Sequence, residues 1–359
     1  MAKTKVSRCD DSLFPILPSP PAGLGRMAAE ATHAALGHEV EFKMLKVKSI
    51  LNKSVSKRQL SLAYSINPYR GCEFACRYCY ARYTHEFLAP AVSSPNTPDF
   101  RDPAMFERLV FLKENAAWLL EKELSKIDPA DEIALGTATD PYQPIERTAR
   151  ITRSLLEVFA RKSGFRLGII TKSRLIERDI DLLTEIARRN TLVLHVTITT
   201  PDTRLARLLE PRAPRPELRL LAVRRLREAG LTAGILCSPL LPGITDSPEA
   251  IDQMASLAAE ARASFFAAEP LFLKSCSRPT FLSFVREHFP HLSADYAARF
   301  ATLDFAAQPY REHLASLVQG ACRRYGLMPR STDALLTRDV GLPRRPVGTA
   351  ASAQAALFA

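Results

Sequence analysis

From Ser61 to Leu273 the chain alternates short apolar or β-branched runs with longer stretches whose apolar positions recur at helical spacing. That alternation predicts βα units feeding a parallel sheet. Six strands are expected, near Leu62 to Ile66, Glu132 to Thr137, Arg166 to Thr171, Leu192 to Thr199, Thr232 to Ser238 and Ser264 to Phe272. Between them the spacing predicts helices over Pro103 to Ser125, Thr148 to Lys162, Leu175 to Arg189, Pro216 to Ala229 and Ser247 to Arg262. Several carry boundary chemistry: Asp246 and Ser247 precede Pro248 at one start, and Gly164 and Gly230 stand at stops. A right-handed series of six such units curls into an α/β fold, an open partial (β/α)6 barrel of the TIM type. Its functional end is the carboxyl edge of the strands.

The flanks read differently. Residues 1–60 are punctuated by Pro15, Pro18, Pro20 and Pro21 and then rich in lysine, an N-terminal extension expected to pack on the core of residues 61–273. Residues 274–342 form a C-terminal helical region, with pieces at Phe281 to His288, Ala294 to Ala301 and Pro309 to Tyr325. The small, polar stretch 343–359 has no period and is expected to fray.

Composition narrows the class. At 359 residues, with 47% apolar and 24% charged positions, the chain buries a large core and is neither disordered nor fibrous. The most apolar stretches are cut by Pro239, Pro242, Glu269 and Pro270, so none reaches the roughly 18 residues of a membrane span. The start, MAKTKVSRCDDSLFPILPSPP, has cations but no apolar run behind them, and a cytoplasmic location is the expectation. The net charge is +11, and arginine supplies 36 of the 49 cations. Arg204, Arg207, Arg212, Arg215 and Arg219 cluster after the fourth strand, where they either neutralise phosphates or form a solvated helix surface. Nucleic acid is thus a candidate partner, although no base-reading motif is present.

Seven cysteines are too sparse for a disulfide scaffold. Three of them, Cys72, Cys76 and Cys79, fall in NPYRGCEFACRYCYAR with spacing C-x3-C-x2-C, just after the first expected strand. Three thiolates on one tight loop fill three corners of a metal site and leave the fourth open. Structural zinc normally closes all four corners, whereas an iron-sulfur cluster is held by thiolates, and an iron without one is free to take a small molecule. Of the others, Cys237 and Cys322 read as small buried hydrophobes. Cys276 sits in a loop able to close over the barrel mouth, as a packing residue, a hydrogen donor or an auxiliary metal ligand.

The pattern C-x3-C-x-φ-C with aromatic Tyr78 at φ resembles the signature of the radical S-adenosylmethionine (SAM) superfamily, whose core is an open six-stranded βα barrel. With TDPYQPIE and ITKSRLIERDIDLL the string is similar to the subgroup related to spore photoproduct lyase, also described as DNA-repair-photolyase-like. The resemblance spans roughly Asn52 to Phe272. It implies an enzyme in which Cys72, Cys76 and Cys79 each ligate one iron of a 4Fe-4S cluster and the fourth iron chelates SAM. One electron then cleaves SAM to a 5′-deoxyadenosyl radical that takes hydrogen from a substrate, nucleic acid among the candidates. An external electron donor such as flavodoxin or ferredoxin follows. The resemblance also places cofactor contacts at Tyr78, against adenine, at Gly136, Thr137 and Thr139 in ALGTATD, at Lys172, toward the SAM carboxylate, and at Thr197 or Thr199. ALGTATD departs from the commoner Gly-Gly-Glu form, and Leu135 to Asp140 lacks the cysteine that spore photoproduct lyase uses as hydrogen donor. Asp140, Tyr142, Gln143 and Glu146 either present a polar surface to substrate or cap the next helix. His85, close to the cysteine loop, reads as a packing residue as readily as anything else. The competing reading is a nucleic-acid-binding protein with a structural metal or cluster site and no SAM chemistry.

Overall fold

The computed structural model describes residues 32–36, 40–53, 62–89 and 98–329, with Gly23 and Met27 besides. The expected tail 343–359 and Cys9 lie outside the described residues. Among the described residues there are twelve strands: β1 (Thr32–Leu36), β2 (Glu41–Leu45), β3 (Leu51–Lys53), β4 (Leu62–Ile66), β5 (Tyr69–Arg70), β6 (Leu109–Lys113), β7 (Glu132–Leu135), β8 (Arg166–Thr171), β9 (Thr191–Thr197), β10 (Ala233–Leu240), β11 (Phe265–Pro270) and β12 (Met328–Pro329). Six of them, β4, β7, β8, β9, β10 and β11, lie side by side in chain order and are all parallel. β3 is added antiparallel to β4 and β12 parallel to β11, and these are the two edges of an eight-stranded sheet. The sheet is open rather than a closed barrel.

Both faces of these strands are buried, at all four residues of β7 and six of the seven of β9, which is why they read as nearly continuous apolar runs. Ile133, Leu167, Leu194, Ile235 and Phe266 from successive strands pack in one core with Leu155, Leu183, Val223 and Met254 from the intervening helices. The cap expected at Ser247 forms, and Asp202 caps a helix outside those expected from the sequence. The Ser247 hydroxyl accepts from Ala250 N at 3.1 Å at the start of helix Pro248–Glu260. Asp202 accepts from Arg204 N and Leu205 N at 2.8 and 3.1 Å at the start of helix Thr203–Leu209.

One expected helix is not there. The span Pro103 to Ser125 is broken into Met105–Arg108, strand β6 and helix Ala116–Glu123. All five residues of β6, Leu-Val-Phe-Leu-Lys, are buried, and the strand pairs parallel with β2 and antiparallel with β5. A short apolar run does not by itself distinguish a strand from a buried helical turn, and here tertiary pairing decides. β1, β2, β6 and β5 form a second, four-stranded sheet built partly from the N-terminal segment. β7 also stops before its expected end, because Gly136 leaves the strand at φ +94°.

Beyond β11 come helices Arg278–His288, Ser293–Arg299 and Gln308–Arg324. The last packs on β11 and on helix Pro248–Glu260. No helix among the described residues is long and apolar enough to cross a membrane.

Candidate active site

The cysteine loop begins where β5 hooks from the carboxyl end of β4 onto the second sheet. Gly71 makes this bend at φ +89°, and a side chain there would place its Cβ 2.8 Å from Leu109 O. Backbone bonds then hang the loop from its surroundings: Cys72 N donates to Phe106 O and Arg77 N to Leu209 O, each at 2.9 Å. Buried Arg82 donates to Cys76 O at 3.1 Å, to Pro103 O at 2.6 Å and to the Glu107 carboxylate at 2.6 Å. Ser277 Oγ donates to Cys79 O at 2.6 Å from the far side.

The loop Asp140 to Glu146 clasps this segment rather than facing outward. Gln143, fully buried, accepts from Glu73 N at 2.8 Å and donates to Gly71 O at 3.3 Å, while Glu73 accepts from Ile145 N at 2.7 Å. Asp140 accepts from Thr171 Oγ1 and Lys172 N, each at 2.7 Å, and so ties the end of β8 to the loop. Glu146 accepts from Thr152 N at 2.8 Å and Arg153 N at 3.2 Å, capping helix Ile151–Ala160, and pairs with Arg178 at 2.7 Å and with the Tyr69 hydroxyl. The buried Tyr142, Gln143 and Glu146 therefore offer no surface to substrate, and the capping alternative describes Glu146.

The expected cofactor residues gather at the carboxyl ends of the strands. The Lys172 ammonium lies 5.5 Å from the centre of the Tyr78 ring. Both meet Glu210, which sequence reasoning missed: Lys172 Nζ is 3.2 Å from Glu210 Oε1, and the Tyr78 hydroxyl donates to the same oxygen. Thr199 Oγ1 bonds Tyr78 OH and Glu210 Oε1, each at 2.8 Å. The second carboxylate oxygen pairs with Arg219 at 2.5 Å, with both side chains 1% exposed. Burial alone would push the Glu210 carboxyl up, but Arg219 and Lys172 hold it well below the usual carboxylate range. The one signal for Glu210 in the sequence is a lone acid in the apolar string LLEP.

Gly136, Thr137 and Thr139 line the next stretch of the mouth, and their geometry is also backbone engineering. A Cβ on Gly136 would lie 2.5 Å from Ile170 O. Asn67, a second missed residue, accepts from Ala138 N at 2.8 Å and Thr139 N at 3.2 Å and donates to Thr137 Oγ1 at 3.3 Å. Tyr80, two residues along from Tyr78, donates its hydroxyl to Thr137 O. Of the two candidate threonines on the fourth strand, it is Thr199 whose hydroxyl joins the Tyr78 cluster. Thr197 takes part through its carbonyl, which accepts from Arg219 at 3.1 Å.

Cys72 and Cys76 are buried, Cys79 is partly buried, and all three are free thiols. Burial pushes each thiol up, so ligation to a metal would release protons. The backbone N–H groups of Asp140 and Phe74 point at the Cys72 sulfur and that of Ala81 at Cys79, which favours the thiolate form. A soft, three-sulfur donor set in a dry site with N–H donors on the sulfurs fits an iron-sulfur cluster. Among the described residues no three His, Cys, Asp or Glu side chains are drawn together as around a single ion.

Other candidates resolve into structure. His85 Nε2 lies 3.0 Å from Leu109 O and its ring packs on Phe106, so it is a core residue. Cys237 and Cys322 are buried, and Cys276 sits beside the loop through its neighbour Ser277. The arginine cluster divides: Arg204, Arg207 and Arg215 are exposed, but Arg219 is buried and Arg212 turns toward the cysteine loop, 3.5 Å from Glu73 O. A five-arginine phosphate rim is not what the chain builds.

The family model described as the Radical SAM superfamily matches residues 66–255. An uncharacterised protein of Mycobacterium tuberculosis (strain ATCC 25618 / H37Rv) is 33% identical over 304 residues, covering 83% of this chain and 86% of that one. An uncharacterised protein of Methanocaldococcus jannaschii is 28% identical over 59% of this chain and 72% of its own. Among solved structures, a spore photoproduct lyase mutant with bound AdoMet and dinucleoside spore photoproduct has the same fold. Its TM-score is 0.56 at 12% identity, over 79% of each chain.

Proposed function

Because the chain belongs to the radical SAM superfamily, whose enzymes use a 4Fe-4S cluster and SAM, we propose that Cys72, Cys76 and Cys79 hold the cluster and that Tyr78, Gly136, Thr137, Thr139, Lys172 and the Thr197–Thr199 strand end bind SAM. When bound, these groups supply a carbon-centred radical that abstracts hydrogen from a substrate. The observation that carries the reading is the meeting of Tyr78 and Lys172 directly beside the three-cysteine loop, at the carboxyl end of six parallel strands.

The chain's own part is positioning and exclusion of water. The clasp of Gln143, Glu73 and Asp140 fixes the loop, the Tyr78 ring offers a face for adenine, and Lys172 offers a point charge for a carboxylate. The 67–139 contacts hold backbone groups of the second strand end at the mouth. An external donor of the flavodoxin or ferredoxin type would supply the electron, in a cytoplasmic setting.

Nucleic acid is the substrate class we favour. Spore photoproduct lyase has been solved with a dinucleoside photoproduct. At this chain's own mouth, Tyr80 is 39% exposed and lies 5.7 Å from Phe272, and Phe272 stacks on Phe305 at 4.5 Å with Lys274 over its ring. Aromatic faces interleaved with cations suit unstacked bases and phosphate. The second strand end carries no cysteine, so no thiol at that position would return hydrogen to a substrate radical.

Two measurements test this. Anaerobically reconstituted protein is expected to hold about four irons and about four sulfides per chain, and Cys72→Ala, Cys76→Ala or Cys79→Ala to lose them. Stoichiometric zinc without sulfide would support the structural-metal reading instead. Deuterium from a labelled oligonucleotide is expected in 5′-deoxyadenosine; transfer only from a labelled peptide or small molecule would reject the nucleic-acid assignment.

A further inference from the structure

Lys172 does not stand alone at the mouth; its ammonium is held by a carboxylate that has a second, permanent partner. We propose that Glu210 is a positioning residue that aims Lys172 at the carboxylate of SAM, an inference that rests on the cofactor reading above. The geometry divides the work between the two oxygens. Oε2 is in ion-pair contact with Arg219 Nη2, while Arg219 Nη1 donates to Thr197 O at 3.1 Å and Nε to Pro214 O at 2.7 Å, so the arginine ties that oxygen to the end of β9 and to the segment before helix Pro216–Glu228. Oε1 gathers Tyr78 OH, Thr199 Oγ1 and Lys172 Nζ. The carboxylate is thus fixed by strand, helix and cysteine loop together, and Lys172 takes its direction from it.

Arg219 already supplies the counter-charge of Glu210. An ammonium has three N–H donors, of which the Glu210 contact takes one. Another is available to an incoming carboxylate, with Lys172 bridging two anions. The alternative role for a buried Glu210–Arg219 pair is structural only: it would support the fold around the mouth without distinguishing one part of a ligand from another. The two roles differ in what they do to carboxylate recognition.

The test compares binding of SAM and decarboxylated SAM to cluster-loaded protein by equilibrium dialysis. The wild type is expected to favour SAM by at least about 10- to 100-fold, the worth of one charge-assisted hydrogen bond to Lys172 added to chelation of the carboxylate by the open iron. Lys172→Met should lower that preference about 10- to 100-fold, leaving the share due to iron, and Glu210→Gln should lower it at least about tenfold while leaving binding of decarboxylated SAM within about threefold of wild type. Iron content and thermal midpoint are read alongside. If Glu210→Gln does not fold, Glu210→Gln/Arg219→Met removes both buried charges together and makes the same prediction. A preference that stays the same or rises in the Glu210 variants, or an equal loss for both ligands, overturns the positioning role while leaving the family reading intact. A cluster-loaded wild type that binds neither ligand, by contrast, would overturn the cofactor reading and the inference with it.

Discussion

Burial leaves His85 neutral, and that has a consequence for acid stability. Removal from water lowers its pKa from 6.5 to about 4, the bond to Leu109 O opposes the shift, and Arg70 and Arg82 add to it. Between these values the unfolded chain takes up a proton that the folded chain refuses. The stabilisation is therefore complete above pH 6.5 and is lost as pH falls toward 4, by up to about 3 kcal/mol for this group. Urea titrations at pH 7 and pH 4.5 are expected to show that loss, and His85→Phe should flatten the slope in that window. An unchanged slope would mean that the ring titrates in the fold. At this scale the sequence was legible in part. The three cysteines, Tyr78 and Lys172 announce themselves by spacing and strand-end position. Glu210, Arg219, Arg82 and Asn67 do not, because their importance comes from being buried beside residues distant in the chain.

At the scale of elements, β6 is the instructive case. The sequence between Pro103 and Ser125 satisfies a helical reading, yet β6 is claimed by two neighbours: β2 from the N-terminal segment, and β5 at the root of the cysteine loop. Phe111 is fully buried there, with its ring near His85 and Phe100. Phe111→Ala is expected to cost about 3–5 kcal/mol in urea unfolding. Because Cys72 N donates to Phe106 O just before β6, the variant should also incorporate less iron at equal folded protein. Normal iron uptake would show that the second sheet supports the fold without bracing the loop. The parallel strands were legible because each is a local apolar run followed by a local helix. β6 was not, since its choice depends on partners more than 60 residues away on one side and about 40 on the other.

Across the whole molecule, the open sheet of six parallel strands, the loop at its carboxyl edge and the clasp of residues 140–146 converge on one mouth. The net charge of +11 proved less informative than the placement of its arginines, since Arg219 and Arg82 serve the interior and only part of the cluster after the fourth strand faces solvent. Family membership supplies the cofactors, a 4Fe-4S cluster and SAM, that the proposal assigns to this mouth. The central claim is that the chain cleaves SAM with a cluster on Cys72, Cys76 and Cys79, and the most direct measurement is chromatography of the products after anaerobic incubation with SAM and dithionite. Cluster-loaded wild type is predicted to release 5′-deoxyadenosine and Cys72→Ala to release none. A wild type that retains its cluster, binds SAM and still forms no 5′-deoxyadenosine would contradict the account.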